Sequence, residues 1–344
     1  MKWQQAKWSE VLDIKNGKDQ KKVADLNGQY PIYGSGGPMG FANDYLCEPG
    51  TTVVGRKGSI NSPIYVNERF WNVDTAFGLS PKSGLDNRFL FHFCIQYNFL
   101  KHNKATTLPS LTKTDLLNIE IPLPPLAEQK RIAAILDAAD ALRTKRREAL
   151  AQLDALLQST FLTLFGDPGT NPMGWKNPPL LELCSAKQWP TISGPQLESS
   201  GYPVYGANGQ IGYYSKYNHE HPTVLVTCRG ATCGTINICP PKCYVTGNAM
   251  ALDDPDPKRI TLSYLEWVLR IRGMSDVICG AAQPQITRTG MAPITIPLPP
   301  LPLQQKFAAI VESIERQKAA QRDHLAELDA LFAALQHRAF RGEL

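Results

Sequence analysis

The sequence predicts an α+β protein of two similar globular domains, separated by two long helices that pair antiparallel and give one chain an internal pseudo-twofold repeat. Three observations carry that prediction. Motifs recur in the same order 172 to 175 residues apart. Both copies close with the same proline-rich hinge. The first hinge is followed directly, and the second after Pro302, by more than 35 residues free of proline and glycine. A repeat this long in only two copies is a duplicated domain, since solenoid units run about 20–50 residues.

The first copy occupies residues 1–126. Tyr30-Pro31-Ile32-Tyr33-Gly34 opens its glycine-rich part, and Thr52-Val53-Val54-Gly55-Arg56-Lys57-Gly58 follows. Short apolar runs such as Thr51–Val54 between Gly and Asn turns read as strands. Asn87–Phe99 reads as a helix. The copy closes on Leu108-Pro109-Ser110-Leu111-Thr112-Lys113-Thr114 and then Ile121-Pro122-Leu123-Pro124-Pro125-Leu126. The prolines hold the hinge extended and allow a helix to start just beyond it.

Residues 127–165 form the central helical segment. Ile132, Ile135, Ala139, Leu142, Ala149, Leu153 and Leu156 alternate three and four apart, the rhythm of a heptad seam interrupted by Arg146. Gly166-Asp167-Pro168-Gly169 stops the helix. The basic run Arg143-Thr144-Lys145-Arg146-Arg147 lies mid-helix, as a solvated face or as a contact for a protein or DNA backbone.

The second copy, 166–301, repeats the plan. Tyr202-Pro203-Val204-Tyr205-Gly206 returns first, and Thr223-Val224-Leu225-Val226-Thr227-Cys228-Arg229-Gly230 second. Gln283-Pro284-Gln285-Ile286-Thr287-Arg288-Thr289 and Ile296-Pro297-Leu298-Pro299-Pro300-Leu301 complete the set. A helix is expected over Ser263–Arg272. Residues 302–344 form the second helical segment, with Phe307, Ile310, Ile314, Leu328, Leu331 and Leu335 in rhythm and Gln317, Gln321 and His324 making its middle polar. Two helices of matched length are expected to bury their stripes against each other.

Composition narrows the function classes. The 344 residues exceed what one core usually fills. With 43% hydrophobic and 19% charged residues, wholesale disorder is excluded. No apolar run reaches the length of a membrane span. The N-terminal residues lack a secretory h-region, so the expected location is cytoplasmic, where the eight cysteines would stay thiols. Net charge is +5. It is evenly spread, with 14 Lys+Arg against 11 Asp+Glu in residues 1–127 and near-balance elsewhere. This permits a nucleic-acid partner without demanding one.

Fragments that suggest catalysis fail on their context. Gly34-Ser35-Gly36-Gly37-Pro38-Met39-Gly40 resembles a phosphate loop, yet no Lys-Ser/Thr follows it. Its mate, Gly206-Ala207-Asn208-Gly209-Gln210-Ile211-Gly212, shares only the glycines, so both read as turns. Asn177-Pro178-Pro179-Leu180 lacks the aromatic that an adenine methyltransferase stacks on a flipped base. Glu128-Gln129-Lys130 with Asp115 has a nuclease-like form but stands at a helix start, where Glu is favoured by the dipole. Cys228, Cys233, Cys239 and Cys243 are enough ligands for one zinc ion, but their spacing lacks a paired knuckle and the first copy has no cysteines there. Buried thiols are the expectation, with no metal site and no catalytic constellation.

Several of these residues do carry a resemblance. A Trp-containing start (Trp8, Trp175), the Tyr-Pro-Ile/Val-Tyr-Gly turn and the Gly55-Arg56-Lys57-Gly58 or Cys228-Arg229-Gly230-Ala231 loop come first in each copy. The Ile-Pro-Leu-Pro-Pro-Leu hinge and a helix beginning Gln129-Lys130-Arg131-Ile132 or Gln305-Lys306-Phe307-Ala308 complete the pattern. Over essentially its whole length the chain resembles the DNA specificity subunit of type I restriction–modification systems. It departs by an extra residue in the second hinge (Leu301-Pro302-Leu303-Gln304-Gln305 against Leu126-Ala127-Glu128-Gln129) and by Cys228 in place of Arg56.

The resemblance implies that the globular parts are target recognition domains, each reading one half of a bipartite double-stranded DNA target. It implies that the helices space these domains and dock two methyltransferase subunits, with restriction/translocase subunits as further partners. S-adenosylmethionine and ATP would belong to those partners, leaving this chain without cofactor and non-catalytic. The DNA-binding candidates are the polar residues on loops shared by both copies: Arg56, Lys57, Ser59, Lys104, Thr107, Ser110 and Lys113, then Arg229, Gln283, Gln285, Thr287 and Arg288. The docking candidates are Gln129, Lys130, Arg131, Gln305 and Lys306. Two other classes compete: a nuclease or methyltransferase polypeptide in its own right, and a duplicated coiled-coil adaptor that binds no DNA.

If the helices set the distance between the half-sites, their length is a ruler. Inserting four residues in each, near Ala149 and Gln321, keeps the stripes roughly in phase and adds about 6 Å. At about 3.4 Å per base pair, the unread gap should grow by one or two base pairs while the half-site bases stay the same. Methylated sites mapped in a genome carrying the variant test this. An unchanged gap would refute it.

Overall fold

The computed structural model describes residues 3–207, 209–280 and 283–344. Asn208, in the second glycine turn, lies outside the described residues. The chain divides into two compact units, residues 1–147 with 323–344 and residues 148–322.

In the first unit the order is β1 (Gln5–Lys7), α1 (Trp8–Val11), β2 (Leu12–Asn16), β3 (Tyr30–Gly34), β4 (Gly37–Ala42), β5 (Thr51–Gly55) and β6 (Ile64–Val66). Then come β7 (Trp71–Asn72), β8 (Ala76–Pro81), α2 (Asn87–Gln96), α3 (Lys113–Leu117), β9 (Glu120–Pro122) and the long α4 (Leu126–Phe165). An antiparallel sheet runs β2-β8-β5-β6. A second sheet runs β4-β3-β7, with β3 and β7 parallel, and β1 pairs with β9. The Thr-Thr-Val-Val-Gly run of β5 is buried along its whole length, as a strand covered on both faces must be. Val54 joins Trp8, Phe77, Phe89 and Phe99 in the main core, while Val53 joins Cys47, Val66 and Phe70 in a smaller one.

The second unit repeats this plan. Its strands are β10 (Ser185–Gln188), β11 (Tyr202–Gly206), β12 (Gly209–Tyr214), β13 (Thr223–Thr227), β14 (Ile236–Cys239), β15 (Tyr244–Val245) and β16 (Ala249–Asp253). Helices α5 (Leu262–Arg272), α6 (Arg288–Met291) and α7 (Leu301–Ala339) follow. The sheets run β10-β16-β13-β14 and β12-β11-β15, strand for strand the order of the first unit. The β1–β9 pair is reduced to the bridges Lys176–Leu298 and Pro179–Thr295.

Helix α2 starts where Asp86 accepts hydrogen bonds from the N–H groups of Arg88 and Phe89, both 3.0 Å. It stops at Gln96, short of the expected Phe99, because Tyr97 turns extended and Asn98 caps a separate 3₁₀ turn over Phe99–His102. In α7, Pro302 occupies the first turn, where its missing N–H has no partner to lose.

The helical stripe differs from the expected seam. Within each unit the two helical segments do run antiparallel, Arg143 to Asp329 in the first and Asp154 to Lys318 in the second. Each segment also inserts into its own unit's globular core. Ile132, Ala133, Leu136 and Ala139 pack with Phe332, Phe89 and Phe93. Leu157, Phe161, Phe165, Phe307, Val311 and Ile314 pack with Tyr264 and Trp267. Serving two neighbours broadens and rotates the buried face. Leu136, Leu157 and Phe161 are inside, while the expected seam residues Leu142, Leu156 and Leu331 are exposed. In the first unit Arg88 and His92 of α2 both donate to Asp137 of α4. Burial raises the Asp137 carboxyl, but these hydrogen bonds outweigh it and hold the group below the usual carboxylate range.

The expected extra hinge residue does not exist. Gln129 corresponds to Gln304, not Gln305, and both glutamines are fully buried with the same bonds. Gln129 Nε2 donates to Pro124 O (2.8 Å) and Gly84 O (2.9 Å), and its Oε1 accepts from Asp86 N–H (2.7 Å). Gln304 Nε2 donates to Pro299 O and Arg259 O (both 2.9 Å), and its Oε1 accepts from Thr261 N–H (2.9 Å). Leu126-Ala127-Glu128-Gln129 thus matches Leu301-Pro302-Leu303-Gln304 residue for residue.

Replacing either glutamine by leucine strands one N–H and two carbonyls inside. Gln129→Leu and Gln304→Leu should each cost about 2–4 kcal/mol of stability, read by denaturant unfolding. A loss below about 0.5 kcal/mol, typical of surface substitutions, would show that the hinge does not depend on them.

Candidate nucleic-acid interface

The polar loops singled out in the sequence meet across one short bridge in each unit. In the first, Arg56 N–H donates to Thr75 O (2.7 Å) as the chain leaves β5. Gly58, at φ +80°, donates to Pro109 O (2.9 Å), and Leu111 N–H donates to Arg56 O (2.9 Å). Lys57 and Ser110 are therefore paired as an antiparallel bridge. Asn103 props the far side, its Oδ1 accepting from the N–H groups of Ala105 (3.1 Å) and Ser110 (3.0 Å). Thr112 caps α3 by accepting from Asp115 N–H, which sets Lys113 at the exposed first position of that helix.

The second unit reproduces this backbone with other side chains. Gly230, at φ +87°, donates to Pro284 O (3.2 Å), Ile286 N–H donates to Cys228 O (3.0 Å), and Arg229 pairs with Gln285. Thr287 caps α6 by accepting from Gly290 N–H (3.0 Å), and Arg288 follows it, exposed. Lys57 thus stands where Arg229 stands, Ser110 where Gln285 stands, and Lys113 where Arg288 stands.

Within these loops the candidates are not equivalent. Lys57, Ser59, Thr107, Lys113, Arg229, Gln283, Gln285 and Arg288 are exposed. Arg56 is half-buried, with its guanidinium 5.9 Å from the centre of the Phe77 ring. Its counterpart Cys228 is buried, accepts from Gln188 Nε2 (3.0 Å) and has a thiol raised by burial. Lys104 is paired with Asp115 at 2.8 Å. That hydrogen bond, with a second from Thr112, holds the Asp115 carboxyl below its ordinary value. The Thr287 hydroxyl is engaged as a cap acceptor and keeps its proton and one lone pair to offer.

The expected docking residues separate as well. Gln129 is the buried hinge lock. Lys130, Gln305 and Lys306 are exposed, and Arg131 is bound to Glu128 (2.8 Å) and to Leu344 O (2.8 Å). The mid-helix basic run is partly absorbed: Arg143 and Arg147 both reach Asp329, at 2.6 and 3.0 Å.

The fragments that suggested catalysis have structural roles. The phosphate-loop look-alike is the β3–β4 hairpin, Gly34 pairing with Gly37. Asn177 Nδ2 donates to Thr295 Oγ1 (2.9 Å) at the sheet edge. Glu128 is held below its ordinary pKa by the Arg131 hydrogen bond. Cys228 joins the main core of its unit while Cys239 and Cys243 join a smaller cluster. Among the described residues no group of three or more His, Cys, Asp or Glu converges on a metal-sized site.

One feature had no sequence signal. A cavity of about 850 Å³ in the second unit is lined by Lys187, Trp189, His219, His221, Asp253 and Arg288, among others. Asp253 accepts from His219 Nε2 (2.9 Å) and Trp189 Nε1 (3.0 Å), partners 34 and 64 residues away.

Comparison with known proteins identifies the family and the fold. The family model of the type I restriction modification DNA specificity domain matches residues 1–152 and 172–330. A putative type I restriction enzyme specificity subunit from Haemophilus influenzae is 31% identical over 142 residues, covering 40% of this chain and 37% of that protein. The putative MjaX specificity subunit from Methanocaldococcus jannaschii is 26% identical, covering 64% of this chain and 58% of that protein. The chain therefore spans less than two thirds of either relative. The EcoDI specificity subunit of Escherichia coli is 24% identical over 99% of this chain and 88% of its own. In fold, the chain is similar to the crystal structure of a type I restriction–modification S subunit from M. genitalium, with TM-score 0.63, 19% identity and coverage of 98% and 96%.

Proposed function

The chain belongs to the type I restriction modification DNA specificity family, and from that premise we propose that it is the sequence-reading subunit of a type I restriction–modification complex. Residues 1–126 and 166–301 act as its target recognition domains, one for each half of a bipartite duplex target. The observation that carries this reading is the bridge repeated in both units, Lys57 with Ser110 and Arg229 with Gln285. It presents a cation and a hydrogen-bonding side chain together from a backbone fixed on both sides. A cation beside a polar side chain suits a groove edge, where phosphate contacts position the protein and base contacts select sequence. The hinge-proximal Lys130, Gln305 and Lys306 and the exposed helix residues Leu142, Leu156 and Leu331 are the surface for two methyltransferase subunits. This chain supplies no catalytic group to the reaction.

Co-expression with the cognate methyltransferase should give a complex of one chain and two such subunits by sizing, and free 38.0 kDa chain beside unbound partner would refute that. In the assembled complex, methylated adenines should map to a two-part motif. Lys57→Ala with Lys113→Ala should weaken or relax one half-site only, by about tenfold per lost base contact. Arg229→Ala with Arg288→Ala should do the same to the other half-site. Any change that falls on both half-sites together, or on neither, would overturn the assignment.

A further inference from the structure

Both glycine-rich hairpins carry a feature that the basic loops do not absorb. Strands β3 and β4 pair Ile32 with Gly40 and Tyr33 with Pro38, leaving Met39 as the extra residue of a β-bulge. Strands β11 and β12 pair Val204 with Gly212 and Tyr205 with Gln210, and Ile211 is the extra residue. A bulge re-aims the side chain it carries. Met39 is 60% exposed and Ile211 46%, and two residues on, Phe41 and Tyr213 are 50% and 37% exposed. A glycine lies beneath each bulged side chain. A Cβ on Gly34 would come within 2.6 Å of the Met39 sulfur, and one on Gly206 within 3.2 Å of Ile211 Cγ2. A single exposed apolar residue needs no explanation. The same bulge, the same glycine beneath it and the same outward pair, kept in two copies whose side chains differ there, do need one.

The surroundings identify the occupant. The β3–β4 turn abuts the loop of Lys57, since a Cβ on Gly58 would lie 3.7 Å from Ser35 Oγ. In the second unit Thr227 Oγ1 donates to Ala207 O, which holds Ala207, just past the end of β11, beside Cys228 and Arg229. Each apolar tip is therefore continuous with the cationic bridge of its own unit.

We propose that Met39 and Ile211 are specificity-determining residues that read the C5-methyl group of a pyrimidine, each in one half-site. The inference rests on the DNA-reading function proposed above. The major groove admits a two-stranded ribbon, and the thymine methyl is the apolar group it displays. A bulged side chain without a hydrogen-bond donor, held at the tip of such a ribbon, fits that group and no donor or acceptor on a base edge.

The test uses the assembled complex with its methyltransferase subunits and duplexes carrying the mapped target. At each target pyrimidine in turn, the methyl is removed (thymine to deoxyuridine) or added (cytosine to 5-methylcytosine). In each half-site at least one methyl should change affinity by about fourfold, the worth of one buried methyl-sized group. Met39→Ala should abolish that response in one half-site only, Ile211→Ala in the other only, and Met39→Leu should retain it. A complex that binds its target but shows no methyl response, or the same response in both alanine variants, overturns the inference and leaves the DNA-reading function standing. Failure of the unsubstituted complex to bind any duplex selectively would overturn both.

Discussion

Everything else in the molecule is referred to two buried amides. Gln129 and Gln304 each tie three backbone groups: the hinge carbonyl behind, the carbonyl before a globular helix and the N–H of the residue that caps that helix. The long helix and the globular helix thereby share one hydrogen-bonded corner. No other side chain of that size offers a donor pair and an acceptor in one plane, and a buried amide with all three engaged leaves nothing unsatisfied. The corner fixes the angle at which α4 leaves the first core and α7 the second. It follows that Ile132 and Phe307, three residues past each glutamine, are both fully buried in their respective cores.

The helices carry a second repeated device, in which the two helices exchange roles. In the first unit Arg143 of α4 is held between Asp140 on its own helix (2.8 Å) and Asp329 on α7 (2.6 Å). In the second, Lys318 of α7 is held between Glu315 on its own helix and Asp154 on α4 (2.6 Å). The three positions match at the spacing of the hinge repeat. Burial lowers the Lys318 ammonium pKa, and the hydrogen bonds to Asp154 and Glu315 overcome it and raise the group above its ordinary value. Because the acids are substantially solvated, such pairs contribute roughly 0–1 kcal/mol each. Their effect is on register: sliding one helix by a turn would leave buried Lys318 or half-buried Arg143 without its acid, which is the more costly arrangement.

Much of this was legible in the sequence, and what was not has a physical reason. The duplication, both hinges, both long helices and the pairing of Arg56–Gly58 with Cys228–Gly230 follow from local patterns, which proline, glycine and apolar spacing write directly into the chain. The burial of Leu136 and Leu157 in place of Leu142 and Leu156 does not, because a seam read at two positions in seven assumes one neighbour and each helix has two. The hinge register was misread since Gln304 and Gln305 are identical residues in sequence, and only the first has Thr261 N–H and Arg259 O around it. The capping role of Thr287 and the pairing of Lys104 with Asp115 depend on local geometry that a list of polar residues does not hold. The β-bulges were hidden for a different reason: an extra residue in a strand is defined only by its partner strand.

The two copies show how one backbone accommodates two chemistries. Cys47, between β4 and β5, is buried in a small apolar cluster of the first unit, and its counterpart His219 is bound to Asp253 and borders a cavity. Arg56 covers Phe77, and its counterpart Cys228 turns its thiol inward. None of these exchanges moves the bridge that pairs Lys57 with Ser110 and Arg229 with Gln285, because that bridge is built from backbone N–H and carbonyl groups alone. Side chains at Lys57, Ser110, Arg229 and Gln285 are thus free to change without refolding the loop that carries them. Under the DNA-reading function proposed above, that separation lets the scaffold stay constant while the target varies.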